Sequence, residues 1–73
     1  MSKTDEKLVY MANQIAAFFA VQGEEKGGLA VADHLRKFWD PHMRQSFLAV
    51  AAKSETKLHP LARAAARTLG SAP

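Results

Sequence analysis

Residues 31–44 read VADHLRKFWDPHMR and are the most informative segment for the fold of this chain. At about 100° per residue, its first apolar residues fall within an arc of roughly 120°, as expected for the buried face of one helix. Proline disfavours helical geometry in the residue before it and suits the first position of a new helix. Asp40-Pro41 therefore ends one helix and begins another, with Asp40 as the amino-terminal cap. The stretch predicts two helices that meet at a sharp corner. The buried face of the first comprises Val31, Ala32, Leu35, Phe38 and Trp39.

The residues before this stretch predict one long helix. Thr4 is a candidate amino-terminal cap, and the acidic pair that follows it suits the positive end of a helix dipole. Gly23 can take left-handed geometry after the last turn, so the helix should end there, and residues 24–28 should form a loop. The apolar stripe of this helix is Leu8, Met11, Ala12, Ile15, Ala16 and Phe19.

The residues after the corner predict two more helices. His59-Pro60 repeats the Asp-Pro pattern of interruption and restart, and residues 53–57 form a polar connection before it. The apolar stripes are Met43, Phe47, Val50 and Ala51, then Leu61, Ala65 and Leu69. We therefore predict an all-α fold, a small compact bundle of four short helices in a single domain, residues 1–73. Its helices should span about 5–22, 29–39, 41–52 and 60–69, with a tail at 70–73.

Size and composition restrict the kind of protein. With 73 residues and no cysteine, the chain has a small core and no disulfide or thiolate metal site, so association with a partner is a plausible source of stability. No uncharged segment reaches the ~18 apolar residues of a membrane span, and no secretory signal pattern is visible. These features favour a cytoplasmic protein. Charge is uneven, because residues 34–73 hold seven Lys or Arg against Asp40 and Glu55.

The sequence offers no pattern for catalysis or cofactor binding. None of its hydroxyl residues sits in a glycine elbow beside a histidine. His34 and His42 lie on opposite sides of the Pro41 break, which is not the spacing of helical metal ligands. Gly23, Gly27 and Gly28 lack the strand and the Gly-Lys-Ser/Thr sequence of a phosphate-binding loop. We expect no catalytic, cofactor-binding or metal site in this chain.

Two binding alternatives remain open. A stand-alone nucleic-acid-binding module is one, because basic residues flank Trp39 and others line the fourth helix. The other begins with the first helix, whose outer side carries no charge from Leu8 to Gln22, as expected where a helix is covered by protein. The cover could be a different subunit or a second copy of the chain. The basic residues are Arg36, Lys37, His42 and Arg44, then His59, Arg63 and Arg67; the uncharged side comprises Tyr10, Asn13, Gln14, Ala17, Phe18 and Val21.

Two stretches resemble a known family. Residues 7–19, KLVYMANQIAAFF, and residues 31–44 closely resemble the delta subunit of bacterial NAD-dependent formate dehydrogenases. His59-Pro60-Leu61 and the short helix after it also fit, so the similarity covers nearly the whole chain. The resemblance implies a non-catalytic subunit of a complex that converts formate and NAD to carbon dioxide and NADH.

The resemblance also implies where the cofactors and partners lie. The alpha subunit would carry molybdenum, or in relatives tungsten, as a bis-guanine-dinucleotide centre. The beta and gamma subunits would carry iron–sulfur clusters and flavin mononucleotide, with NAD as the substrate. The delta subunit would carry none of these groups, and would bind the alpha subunit to stabilise it or to aid its maturation.

This implication assigns two sets of residues. Trp39, Asp40 and Pro41 would hold the corner. The amides of Asn13 and Gln14 would bond partner backbone, although Asn13 could instead point to water and Arg36 could pair with Asp40. The predicted partner-binding residues are Tyr10, Asn13, Gln14, Phe18, Val21, Arg36, Lys37 and Arg44.

Overall fold

The computed structural model describes residues 2–71, apart from the side chains of Glu55 and Ser71. Its four helices are α1 (Lys3–Phe19), α2 (Glu24–Phe38), α3 (Pro41–Lys53) and α4 (Pro60–Ser71). Short 3-10 turns at Ala20–Gln22 and Glu55–Lys57 follow α1 and precede α4. The part of the chain that is described contains no strand. The prediction of a small all-α bundle of four helices is confirmed.

The corner between α2 and α3 forms as predicted. The Asp40 carboxylate accepts a hydrogen bond from the Met43 amide at 2.8 Å, and Pro41 occupies the first turn of α3. Trp39 leaves the helix in extended geometry, with φ −96° and ψ 138°. Its buried ring meets Phe47 edge-on, with the ring centroids 5.8 Å apart. Trp39 therefore fastens the corner to the core.

The predicted loop at residues 24–28 is wrong, because α2 begins at Glu24. Gly23 has φ +91°, a conformation that L side chains rarely adopt, and its carbonyl accepts from the Gly27 amide at 2.8 Å. A Cβ at Gly27 would lie 2.7 Å from Leu61 Cδ1 and 2.9 Å from the Phe19 carbonyl oxygen. Gly27 is therefore helical and lets α2 approach α4 closely.

The predicted ends of the first and last helices also need correction. Ser2, not Thr4, caps α1, because the Ser2 hydroxyl accepts from the Asp5 amide at 3.1 Å. At the other end, Gly70 and Ser71 continue α4 rather than starting a tail. The other two residues of the predicted tail, 72–73, lie outside the described residues.

The core lies where the four apolar stripes meet. Phe47, Leu35 and Val31 are its largest fully enclosed side chains. Phe38, predicted to be buried, is 71% exposed, because it lies at the edge of the buried arc in the last turn of α2. The remaining core residues are Leu8, Val9, Ala12, Ala16, Ala32, Trp39, Val50, Ala51, Leu58, Leu61, Ala62 and Ala65.

Candidate docking face

A row of four rings crosses from the end of α1 to the end of α2, exposed at its two ends and half-buried between them. Phe18 meets Phe19 edge-on at 5.1 Å between ring centroids, and the Phe19 and His34 rings are 6.1 Å apart. His34 in turn lies 4.7 Å from Phe38. Phe18 is 75% exposed, although aromatic rings of this size are usually covered in folded proteins. The two ends of the row, Phe18 and Phe38, are therefore apolar surface that the described chain leaves exposed.

The outer side of α1 extends this row. Gln14 Nε2 donates a hydrogen bond to the Tyr10 hydroxyl at 2.8 Å, and Phe18 lies one turn further along the helix. Val21, in the 3-10 turn that follows, is 92% exposed. These residues include no Asp, Glu, Lys or Arg, and such a composition is typical of interface cores. We call the whole set the docking face: Tyr10, Gln14, Phe18, Phe19, Val21, His34 and Phe38.

Asn13 does not belong to the docking face. Its Nδ2 donates to the Lys57 carbonyl at 3.0 Å, and its Oδ1 accepts from the His59 amide at 2.8 Å. Its amide was predicted to bond a partner's backbone, or alternatively to face water. It instead ties α1 to the connection before α4, so the role of Asn13 is structural.

Arg44 is also used within the chain. Its Nη1 donates to the Arg36 carbonyl at 3.0 Å and, over a shorter distance, to the Trp39 carbonyl. These are carbonyls from the end of α2, where the helix leaves such groups unsatisfied. The predicted contact of Arg44 with a partner is therefore replaced by a cap that holds α2 against α3.

The remaining predicted basic contacts lie on the outside of α2. Lys37 pairs with Asp33, one helical turn earlier, at 3.0 Å, with both side chains more than half exposed. Arg36 is exposed. The alternative pairing of Arg36 with Asp40 is not observed, since Asp40 is occupied as the cap of α3. Contact of Arg36 and Lys37 with a partner stays a prediction.

Three of the residues that suggested nucleic-acid binding make contacts within the fold. Trp39 is buried, and the nearby Arg44 guanidinium turns inward. His59 directly precedes α4, and its Nδ1 accepts a hydrogen bond from the Leu61 amide at 3.1 Å. The His59 ring therefore caps the first turn of that helix. Among the side chains that the structure describes, no three His, Cys, Asp or Glu residues lie close enough together to hold a metal ion. No helix in residues 2–71 is long and apolar enough to cross a membrane.

Comparison with protein families identifies the kind of subunit. A family model described as the NADH-dependent formate dehydrogenase delta subunit, FdsD, matches residues 7–66. The chain belongs to this family. The match confirms the resemblance and spans nearly all of the helical bundle of this FdsD-family chain. Comparison with curated proteins and with solved structures gave no match.

Three members of the docking face were not predicted from the sequence of this FdsD-family chain. The apolar spacing predicts Phe19 and Phe38 as core residues, and Phe19 does pack partly against the core, whereas Phe38 does not. The sequence suggests His34 only as a catalytic or metal-binding candidate. The i,i+4 spacing of His34 and Phe38 is a signal that could have paired them on one side of α2. The contact of His34 with Phe19 depends on how α1 packs against α2, which no local pattern encodes.

Proposed function

We propose that this chain is a non-catalytic accessory subunit of an NAD-dependent formate dehydrogenase. It binds the large alpha subunit through the docking face, and it stabilises that subunit or aids its maturation in the cytoplasm. The observation that carries the proposal is the row of rings whose ends, Phe18 and Phe38, are exposed and which is continuous with the uncharged outer side of α1. Membership of the delta-subunit family supports the proposal, because a subunit of formate dehydrogenase has partner subunits that could cover such a face.

The proposal places the redox groups in the partner subunits. The alpha subunit holds molybdenum bis-guanine dinucleotide, and the beta and gamma subunits hold the iron–sulfur clusters and flavin mononucleotide that pass electrons to NAD. The composition of this chain supports that division, because iron–sulfur clusters are mainly held by cysteine thiolates and the sequence has none. Its own contribution is therefore shape and contact area.

A chain of this size can provide a standard protein–protein interface. A standard interface covers about 800 Å² on each partner, roughly a sixth of the 4754 Å² accessible surface of this chain. Aromatic side chains at the centre of an interface often carry most of the binding free energy. Phe18 and Phe38 are suited to that part, since they are already exposed and need no rearrangement to reach a partner. The binding energy should therefore concentrate on these two rings.

A charge placed on the docking face tests the proposal. Tagged chain carrying Phe18→Asp should fail to recover the alpha subunit from cells that express the whole complex, whereas unmodified chain should recover it. Leu29→Asp is the matched control, because Leu29 is also an exposed large apolar residue, at 57%, but lies outside the docking face. Equal recovery by Phe18→Asp and unmodified chain would show that α1 does not form the interface.

A further inference from the structure

A second surface feature lies on the other pair of helices. A groove of about 320 Å³ runs between α3 and α4. Leu48 and Leu58 line its apolar part, Ala52 and Gly70 lie at its rim, and Arg63 and Arg67 line it from α4. None of these residues belongs to the docking face. The groove is therefore a separate candidate for binding.

The charged residues that line this groove are arginines. Neither α3 nor α4 contains an aspartate or a glutamate. The arginine guanidinium matches the geometry of a carboxylate and binds it strongly. The neighbouring groove between α2 and α4 is different, because Glu24 and Glu25 line it together with Arg67. An acidic partner is therefore attracted to the α3–α4 groove in preference to the α2–α4 groove.

The shape of the groove indicates a protein segment. Ala52, Arg67 and Gly70 are exposed, so the groove is open along its length, whereas small-molecule sites usually enclose most of their ligand. Open apolar grooves between helices commonly receive one face of an amphipathic helix. A segment that places an apolar side chain over Leu48 and Leu58 would bring an adjacent carboxylate to Arg67.

We propose that the α3–α4 groove binds an acidic amphipathic segment of the large subunit. This inference rests on the proposed function and adds a second contact to it. The docking face supplies aromatic contact area on α1 and α2, and the groove supplies a charge-selective contact on α3 and α4. Together the two surfaces let the small bundle join two parts of its partner.

Two substitutions should weaken binding in the groove in different ways, one by filling it and one by reversing its charge. A Cβ at Gly70 would lie 4.0 Å from Leu48 Cδ2, an ordinary contact, so Gly70→Leu can fill the groove without displacing the backbone. Arg67→Glu reverses the exposed charge without changing the packing. Lys53→Glu is the matched control, because Lys53 is an exposed cation in the last turn of α3 that does not line this groove.

Crosslinking in the assembled complex tests the proposal. A photoreactive benzoylphenylalanine at position 52 should crosslink to a large-subunit peptide that contains at least two Asp or Glu residues. Arg67→Glu and Gly70→Leu should each lower the yield about tenfold, whereas Lys53→Glu should leave it unchanged. A crosslink to a peptide without carboxylates, to a second copy or to nucleic acid overturns the inference, as does no crosslink or an unchanged yield in Arg67→Glu.

The outcome also separates this inference from the proposed function. If the chain is recovered with the alpha subunit and Phe18→Asp abolishes recovery, the proposed function stands whatever position 52 contacts. A failed crosslink would then contradict the groove alone. If the unmodified chain is not recovered with the alpha subunit at all, the proposed function and the inference both fall.

Discussion

The side chain of Asn13 accepts a hydrogen bond from the backbone amide of His59, 46 residues later in the chain, at 2.8 Å. The other end of the same amide donates to the Lys57 carbonyl, so Asn13 binds the backbone on both sides of the buried Leu58. One polar side chain thus fixes where the connection between α3 and α4 lies against α1. This long-range contact accounts for a half-buried polar residue in the middle of α1.

Replacement of Asn13 should therefore lower stability more than its partial exposure would suggest. Asn13→Ala leaves the half-buried His59 amide without its acceptor, and we expect a loss of about 1–3 kcal/mol in the free energy of unfolding. Gln14→Ala, which removes an exposed hydrogen bond to Tyr10, is the control and should cost less than about 0.5 kcal/mol. Urea unfolding followed by circular dichroism measures both, and equal effects would contradict the structural role of Asn13.

The close approach of α2 to α4 predicts opposite effects at two helical glycines. Gly27→Ala forces a methyl group against Leu61 and the Phe19 carbonyl and should destabilise the fold by about 1–3 kcal/mol. Gly70→Ala has room for its methyl group and should be neutral or stabilising by up to about 1 kcal/mol. Thermal unfolding of the two variants distinguishes them, and a stable Gly27→Ala would mean that α2 and α4 lie further apart.

The cap formed by Arg44 predicts that this residue matters for folding. Arg44→Ala removes the donor to the Arg36 and Trp39 carbonyls, and we expect a loss of about 1–2 kcal/mol. The side chain of Arg36 is exposed, so Arg36→Ala serves as the control and should change stability by less than about 0.5 kcal/mol. Chemical denaturation tests the pair. An unchanged midpoint for Arg44→Ala would show that the cap contributes nothing.

The exposed cation Lys37, in the last turn of α2, should act on the rate of assembly. If Lys37 lies at the rim of the interface, Lys37→Glu should slow association several-fold and reduce its dependence on salt, with little effect on folding. Lys26→Glu changes the same charge at the other end of α2 and should leave the rate unchanged. Stopped-flow association at two salt concentrations provides the measurement, and identical rates for both variants would remove Lys37 from the interface.

The fold was predictable where local chemistry decides it. At Asp40-Pro41 the proline ends α2 and suits the first turn of α3, and the aspartate caps α3. The position of the corner could therefore be predicted to the residue from the sequence. The prediction of a loop at Gly27 is wrong. A glycine in the sequence favours a loop, but a helix also uses glycine where a neighbouring residue leaves no space for a side chain. That neighbour, Leu61, lies on another helix.

The candidate site was predictable only in part, for the same reason. The absence of charge on the outer side of α1 identified Tyr10 and Phe18 as surface residues. Burial of Phe38 depends on which helices cover the end of α2, and the apolar spacing does not contain that information. Asn13 was assigned to the partner because its acceptor and donor are far away in sequence and lie in an irregular segment.

Titration of the purified chain into purified complex that lacks it measures how much the docking face contributes to binding. Unmodified chain and Leu29→Asp should bind with equal affinity and equal stoichiometry. The double variant Phe18→Asp with Phe38→Asp should bind at least about thirtyfold more weakly while it remains folded, the expected loss for two central aromatic contacts. Equal affinity for the double variant and the unmodified chain would contradict docking through this face.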